Sequence, residues 1–417
     1  MFTPPTLRVV TANGGGHYPD RVHVVVVGAG PAGLMAAEVA AANGHDVAVF
    51  DQHRSPARKF VVAGRGGLNI THSEPLEMFL DRYGPERVRL ESAIRSFTPD
   101  DLQGWCAGLG HPTFVGSSGR VFPEEFRAVP LLRSWLQRLA RAGVMFHPQH
   151  RWTGWDGDGA LLFDRDGEPV SFAADRTILA LGGASWPRVS SDGSWAALLA
   201  DHGVEVRPLR AANCGVRVPW SEVMVDKFAG VPVKNAAVVV DGVTVRGDPI
   251  ITASGLEGGP IYGHSRRIRA QLDAEGAAVA IDLFPDLDVA ALRARLVQSR
   301  SRGQSIAKWM RKAGVTAVGA SLMREATGNQ LPIEPNELAH LAKSVPVAVA
   351  AMADIDRAIS SSGGVAWSEV DETFQLRAMP GVQVVGEMLD WDAPTGGYLL
   401  QACFSTAHLA AATMART

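Results

Sequence analysis

A valine-rich run leads directly into a glycine turn near the start of the chain. Five of the six residues 22–27 are valine, which is typical of a strand buried on both faces of a parallel sheet. The turn Gly28-Ala29-Gly30-Pro31-Ala32-Gly33 follows, and the alanine-rich residues 34–43 favour a helix. A second short strand over residues 46–50 ends at Asp51. The sequence therefore opens with a βαβ unit.

The glycine turn in this setting predicts a dinucleotide-binding site. Gly28 permits the tight turn, Gly30 lets the backbone approach a diphosphate, and Gly33 lets helix and strand pack closely. The amino end of the following helix directs amide groups and a positive dipole toward the phosphates. Asp51 lies 18 residues after Gly33, where an acid can accept a hydrogen bond from a ribose 2′-hydroxyl. An acid there favours FAD or NAD over NADP.

Two later segments favour FAD over NAD. An apolar strand over residues 177–181 ends at Gly182-Gly183, and a strand over residues 382–385 leads into Gly386-Glu387. Gly396-Gly397 then opens a C-terminal helix. The carboxylate can accept a ribityl hydroxyl, and the helix start can face the flavin edge on which charge collects during reduction. The three segments in this order indicate an α/β fold with a Rossmann-like FAD-binding domain.

The arrangement resembles the FAD-binding fold of the glutathione reductase type. More closely, it resembles the BaiN/RdsA family of NAD(P)/FAD-dependent oxidoreductases, over residues 22–412. The segments that carry this resemblance are Arg58-Lys59 with residues 63–72, residues 252–260, Gly363-Gly364-Val365, and Gly386-Glu387 with residues 396–401. Gly67-Leu68 replaces the family's Arg-Cys pair, and Leu399 replaces its tail asparagine, so a thiol role beside the flavin does not carry over.

The resemblance implies roles for further residues. Arg58 and Lys59 would lie near the FAD phosphates or ribose, the loop over residues 64–71 would border the flavin, and the strand at Trp152 would bind adenine through its backbone. The full predicted set of cofactor-binding residues is Gly28, Gly30, Pro31, Ala32, Gly33, Asp51, Gln52, Arg58, Lys59, Gly64, Arg65, Asn69, Thr71, Trp152, Ala180, Gly182, Gly386, Glu387, Gly397, Tyr398, Leu399 and Gln401. No pattern identifies a catalytic acid or base.

The length of the chain and the change in its sequence pattern indicate more than one domain. A chain of 417 residues is too long to fold around a single simple core. We predict a discontinuous FAD-binding domain over residues 20–193 and 361–417, interrupted by a cap domain of strands and helices over residues 194–360 that shapes the substrate pocket. Residues 1–19 are expected to form a flexible leader.

Within the predicted insert, Asp241-Gly242 is expected to form a hairpin turn. Residues 292–326 are predicted to be helical, with breaks at Gly303 and Gly314. Residues 336–359 read as a second helical stretch, with Asn336 as its N-cap and a break at Pro346.

Composition excludes several classes of function. The formal net charge is −3, so no strong positive field draws the chain to nucleic acid or anionic lipid. Three widely spaced cysteines indicate neither a disulfide framework nor a metal site, and suit a reducing cytoplasm. No apolar run is long enough to span a membrane. No second dinucleotide turn follows a buried strand in the sequence, so electrons would come from a transiently bound NAD(P)H, from the substrate itself or from a protein partner.

Three functions remain open from the sequence. The first is an FAD-dependent oxidoreductase that acts on a small organic substrate by hydride transfer and is reduced by NAD(P)H, with FAD bound non-covalently. The second is an FAD-dependent amine or aminoketone oxidase that passes electrons to oxygen. The third is a protein- or RNA-binding factor in which FAD is structural. The near-neutral charge argues against RNA, and no pattern fixes the substrate or an oligomeric state.

Overall fold

The computed structural model describes residues 23–189, 191–274 and 276–414. The described residues divide into two compact units: those within 1–210 and 360–417 make up the first, and those within 211–359 make up the second. The second unit therefore begins later than the insert predicted from residue 194. The predicted leader over residues 1–19 lies outside the described residues.

The first unit begins with alternating strands and helices. Its strands up to residue 212 are β1 (His23–Val27), β2 (Asp46–Asp51), β3 (Thr71–His72), β4 (Thr113–Val115), β5 (Arg120–Pro123), β6 (Met145–Pro148), β7 (Arg151–Trp155), β8 (Leu161–Arg165), β9 (Glu168–Phe172), β10 (Arg176–Leu179) and β11 (Val206–Ala212). Its α-helices in the same stretch are α1 (Pro31–Ala42), α2 (Arg58–Ala63), α3 (Leu76–Asp81), α4 (Arg87–Ser96), α5 (Pro99–Gly108), α6 (Ala128–Arg141) and α7 (Trp195–Ala200).

The second unit combines short strands with helices. Its strands are β12 (Val216–Arg217), β13 (Ala236–Val240), β14 (Val243–Gly247), β15 (Ile250–Thr252), β16 (Gly255–Glu257), β17 (Ala277–Asp282), β18 (Val345–Val349) and β19 (Ala351–Met352). Its helices are α8 (Glu222–Phe228), α9 (Gly259–Tyr262), α10 (Ser265–Ala274), α11 (Val289–Ser299), α12 (Ile306–Lys312), α13 (Ala317–Ala326) and α14 (Pro335–Lys343). The chain then returns to the first unit with β20 (Ser360–Val365), β21 (Val382–Val384) and α15 (Tyr398–Ala412).

A parallel sheet forms the centre of the first unit. Among the described residues its strand order is β21-β10-β1-β2-β6, and every neighbouring pair is parallel. Residues 24–27 of β1 are buried because both faces of the sheet are covered. The chain leaves β1 toward β2 on one side and later adds β10 and β21 on the other. This reversal creates the crevice in which open α/β sheets bind ligands.

Helices α1 and α15 pack against each other. Helix α1 is alanine-rich, with Ala36, Ala37 and Ala40 fully buried. Ala402, Ala407 and Ala410 of α15 are also fully buried. Small side chains on both helices allow close approach, and this holds the amino ends of both helices at fixed places in the first unit.

The hairpin and helix breaks predicted for the second unit are present. Asp241 and Gly242 both have positive φ, at 50° and 73°, between β13 and β14, which pair antiparallel. Such a turn matches the twist of the flanking strands. Gly303 and Gly314 lie between α11, α12 and α13, as predicted.

The helical prediction for residues 336–359 is wrong beyond Lys343. Residues 345–349 form β18, which pairs antiparallel with β17. Val345, Val347 and Val349 are buried while Pro346 is exposed, so burial follows the two-residue period of a strand. Because β18 lies at the edge of its sheet, the proline is tolerated there. The N-cap of α14 is Glu334, with Pro335 at the first helical position, and not Asn336.

None of the helices in the described part of the chain combines the length and apolar character needed to cross a membrane.

Candidate functional site

A cleft opens in the first unit beyond the carboxyl ends of β1, β2 and β10. The predicted residues that line it are Gly28, Gly30, Pro31, Ala32, Asp51, Gln52, Arg58, Lys59, Trp152, Ala180, Gly182 and Glu387. These residues come from both ends of the chain, and the parallel sheet brings them together.

The glycines of the turn have different structural roles. Gly28 has φ of 103°, and a Cβ there would lie 2.4 Å from the Ala180 carbonyl oxygen. A Cβ on Gly33 would lie 1.8 Å from the Gly28 carbonyl oxygen, so Gly33 is required for helix–turn packing. A Cβ on Gly30 would meet no atom of the described residues within 4 Å. Gly30 therefore faces open space in the cleft, where a ligand can approach its backbone.

The amino end of α1 points an anion-binding surface at this cleft. Gly30 is the N-cap, no side chain of the described residues caps the helix, and its first turn carries no acidic residue. Its first amide groups consequently have no partner within the helix, and Pro31 at the first position costs no amide bond. Exposed amides together with the helix dipole favour a phosphate at this position.

Asp51 organises the turn from the tip of β2. Its Oδ2 accepts the backbone N–H of Ala29 at 2.8 Å, and its Oδ1 accepts the N–H of His53 at 2.7 Å. Burial raises the pKa of Asp51, and these two amide hydrogen bonds oppose that effect. Each carboxylate oxygen retains a second lone pair. Asp51 can therefore order the turn and still accept hydrogen bonds from the hydroxyl groups of a ribose.

Lys59 and Glu387 form an ion pair at the opposite side of the cleft. The Lys59 Nζ lies 3.0 Å from Glu387 Oε2 and donates to Ser185 Oγ at 2.7 Å. Glu387 Oε1 accepts the backbone N–H of Ser361 at 2.7 Å, and Ser361 Oγ accepts the N–H of Ala184 at 2.8 Å. The pair thus joins α2, the segment after β10, β20 and the turn after β21. The ion pair itself was not foreseen from the sequence.

Cys403 of α15 also lines the cleft. Burial, reinforced by the negative charge of Glu387, raises the pKa of its thiol to about 12. The thiol is therefore protonated at neutral pH and is a poor nucleophile.

Aromatic and histidine side chains surround the Asp51 side of the cleft. Phe50, His150 and Trp152 line it, and the Phe50 ring stacks on His147 with centroids 4.4 Å apart. The indole nitrogen of Trp152 is buried and has no hydrogen-bond partner among the described residues. A flat heterocycle with polar edges, such as adenine, suits these surroundings because it can contact rings and backbone groups together.

The buried His147 gives a pH-dependent stability. Burial, with positively charged neighbours adding to it, lowers the pKa of His147 from 6.5 to about 4. The unfolded chain binds this proton below about pH 6.5 and the folded chain does not, so stability falls as the pH drops from 6.5 toward 4. The full shift corresponds to about 3 kcal/mol. Urea unfolding of wild type and His147→Phe at pH 7.5 and 4.5 should show a smaller acid loss in the variant, and equal losses would contradict this.

Several predicted residues lie away from the cleft lining. The Asn69 amide donates to the carbonyl oxygens of Thr71 and Val121 at 2.7 and 3.1 Å, so it shapes the loop from within. Gly64 and Thr71 are buried and Arg65 is exposed. A Cβ on Gly64 would lie 2.7 Å from the Ala128 Cβ. The loop over residues 64–71 is therefore tightly packed on its inner side.

The start of α15 is likewise committed to internal contacts. Gly397 approaches the Thr71 backbone, since a Cβ there would lie 2.5 Å from the Thr71 Cα. The Tyr398 hydroxyl donates to Glu74 at 2.5 Å, and Gln401 is fully buried with its amide donating to the Phe97 carbonyl at 2.8 Å. Leu399 is half-buried. The Tyr398 and Gln401 side chains thus position the helix.

Gly386 packs under the glycine turn. It has φ of 70°, and a Cβ there would lie 2.9 Å from the Ala32 Cβ. Its N–H donates to Thr406 Oγ1 at 3.1 Å. Gly386 therefore serves the close contact between the β21 end and α1, which leaves Glu387 directed at Lys59.

Sequence reasoning missed one wall of the cleft. Val189, Ser191, Asp192, Ser194 and Trp195 line it. Trp195 donates its indole N–H to the Gly182 carbonyl at 2.9 Å. The Ser191-Asp192-Gly193-Ser194 stretch was a usable signal, because such residues follow a strand as a turn and then begin a helix. The predicted domain boundary at residue 193 had cut through it.

Comparisons with known proteins identify the family of this chain. A family model described as the HI0933-like protein Rossmann domain matches residues 22–413. The chain belongs to this family. The predicted resemblance to BaiN/RdsA flavoproteins, the Rossmann-type α/β fold and the assignment as an FAD-dependent oxidoreductase are confirmed.

Similar proteins match over nearly the whole chain. A 3-dehydro-bile acid delta(4,6)-reductase of Clostridium scindens is 26% identical and covers 92% of this chain and 97% of its own. A ribosomal RNA dihydrouridine synthase of Escherichia coli is 23% identical and covers 93% and 96%. The structure of 3-ketosteroid delta1-dehydrogenase from Sterolibacterium denitrificans has a TM-score of 0.52 at 12% identity, covering 94% of this chain and 99% of that one. That likeness supports the fold alone.

Proposed function

We propose that this family member is an FAD-dependent reductase that saturates a carbon–carbon double bond conjugated to a carbonyl group in a small organic substrate, with NAD(P)H as electron donor. The cleft at the carboxyl edge of the parallel sheet carries the proposal, because one side offers phosphate-binding amides and the other a fixed ion pair. The names of the two sequence relatives support the reaction type. Both a bile-acid delta(4,6)-reductase and a dihydrouridine synthase yield products with fewer ring double bonds.

Different residues of the cleft fit different parts of FAD. Gly30 and the first amides of α1 would hold the diphosphate, and Asp51 would accept the hydroxyls of the adenosine ribose. Lys59 would donate a hydrogen bond to a hydroxyl of the ribityl chain, and Glu387 would accept one from another of its hydroxyls. Bound there, FAD would supply the hydride chemistry, while the protein supplies position and excludes water. The chain itself contributes the fixed charges and the closed walls.

An anaerobic titration tests the electron donor. Purified protein loaded with FAD should show the flavin absorption bands, and these should bleach on addition of NADH or NADPH. We expect one of NADH and NADPH to reduce the flavin at least 10-fold faster than the other. A site that binds the 2′-phosphate of NADPH rarely binds NADH equally well. A flavin that neither nucleotide bleaches would contradict NAD(P)H as donor while leaving FAD binding intact.

Substrate trials then separate the proposal from its alternatives. A 3-oxo-Δ4 steroid is a suitable probe, and its saturation by the reduced enzyme would support the reaction type. Hydrogen peroxide produced from an amine or aminoketone in air would favour the oxidase instead. If dihydrouridine forms in ribosomal RNA while free uridine and the steroid are not reduced, RNA is identified as the substrate. That alternative is favoured by the dihydrouridine synthase relative and opposed by the net charge of −3.

A further inference from the structure

Trp186 lies in an unfavourable backbone conformation. Its φ is +57°, in the left-handed region that bulky side chains rarely adopt. Pro187 follows it, and a residue before proline is driven toward extended conformations. Two independent steric preferences therefore oppose the conformation seen here. Strain of this kind persists where the surroundings enforce it, and it concentrates at ligand-binding positions.

The indole of Trp186 has no partner in the described part of the chain. It forms neither a hydrogen bond nor a ring contact there, and it is 43% exposed. Every other tryptophan donates a hydrogen bond or contacts another ring. A large flat ring held outward at a conformational cost has a surface to offer to a ligand.

The neighbours of Trp186 place it at one side of the cleft. Ser185 is buried and accepts a hydrogen bond from Lys59 at 2.7 Å. The Trp186 carbonyl accepts the N–H of Val189 at 2.9 Å, and Val189 lines the cleft. Trp186 thus projects from a turn whose two flanks both reach the site.

Sheet order decides which end of a dinucleotide lies there. Asp51 ends β2, on one side of β1, whereas Glu387 follows β21, on the other side beyond β10. Ser185 contacts the same lysine that pairs with Glu387. If Asp51 holds the adenosine ribose, the Glu387 side holds the flavin half of FAD. Trp186 therefore belongs to the flavin side.

We propose that the indole of Trp186 stacks on the isoalloxazine ring of bound FAD. The proposal rests on the proposed function, because it needs FAD in the cleft. The indole is electron-rich and the isoalloxazine is electron-poor and flat, so stacking of the two is favourable. The turn that carries Trp186 sets the position of its backbone and the direction of its Cβ, so fewer conformations are lost when the indole contacts FAD.

FAD binding and flavin fluorescence test the proposal without any turnover. The variants are Trp186→Phe, Trp186→Ala and Trp186→Gly, with Trp367→Phe as matched control, since Trp367 is half-buried and hydrogen bonded to Glu86 at 2.8 Å. We expect Trp186→Ala to weaken FAD binding by about 2- to 10-fold. The emission of bound FAD should rise several-fold, because a stacked indole quenches it. Trp186→Phe should lie between, and Trp367→Phe should match wild type.

Trp186→Gly separates the ring from its backbone. Glycine adopts positive φ without cost, so this variant should unfold at the same temperature as Trp186→Ala or higher while binding FAD equally weakly. Wild-type affinity and emission in both variants would overturn the proposal. A change confined to the KM of the donor or substrate would also overturn it, since the ring would then serve another ligand. If wild type itself binds no FAD, the proposed function fails instead.

Discussion

Gly33→Ala is expected to destabilise the folded state by roughly 3 kcal/mol or more and to yield protein without bound FAD. The new Cβ would lie 1.8 Å from the Gly28 carbonyl oxygen. That oxygen belongs to the backbone of the turn, so it cannot rotate away as a side chain would. Relief requires α1 to move off the sheet, which would open the packing of α1 against α15 and displace the amide groups from the cleft.

Gly30→Ala provides the matched control, because it adds the same methyl group only three residues away. Gly30 has φ of −78°, which alanine adopts freely, and the added Cβ would meet no atom within 4 Å in the part of the chain that the structure describes. We expect its stability to stay within about 0.5 kcal/mol of wild type. Its FAD affinity should nevertheless fall at least 10-fold, because the methyl group occupies the space that the diphosphate needs.

Thermal unfolding and fluorescence titration with FAD distinguish the two glycines. One variant should lose its fold and the other only its ligand. Wild-type stability of Gly33→Ala would show that the close helix–turn contact is not required. Wild-type FAD affinity of Gly30→Ala would place the diphosphate elsewhere, and the cofactor assignment for the turn would fail with it.

The local elements of this fold were predictable because short-range chemistry specifies them. The valine run before Gly28 favours a strand that is buried on both faces of a parallel sheet. Asp241-Gly242 determines a hairpin turn through its tolerance of positive φ. In each case residues adjacent in sequence carry the whole signal.

Errors arose from a local signal that was overlooked and from deciding contacts that are distant. Residues 345–349 alternate valine with Pro346 and Ala348, which favours a strand over a helix, and their pairing with β17 forms that strand. Lys59 and Glu387 are 328 residues apart, so each suggested a ligand contact by itself and neither suggested the other. Gln401 shows the same limit, since its burial against Phe97 depends on the packing of two helices.

The Lys59–Glu387 pair permits a test that separates stability from binding. The two side chains are only 23% and 10% exposed, so removing one partner leaves the other charge poorly solvated. We expect Glu387→Gln and Lys59→Met each to lower the free energy of unfolding by roughly 2–4 kcal/mol. Glu387→Gln also weakens the hydrogen bond from the Ser361 amide, since an amide oxygen is a weaker acceptor than a carboxylate.

The double variant Lys59→Met/Glu387→Gln should be more stable than the sum of the single losses predicts, by roughly 1–3 kcal/mol, because no unpaired charge remains. FAD affinity should behave differently. If Lys59 and Glu387 contact the ribityl chain, the double variant still lacks both and should bind FAD at least 10-fold more weakly than wild type. Urea unfolding of the four proteins gives the coupling free energy, and FAD titration of the same samples gives the affinity. A double variant that binds FAD as wild type does would make the pair a structural clamp alone, because its charges would then have no part in holding the cofactor.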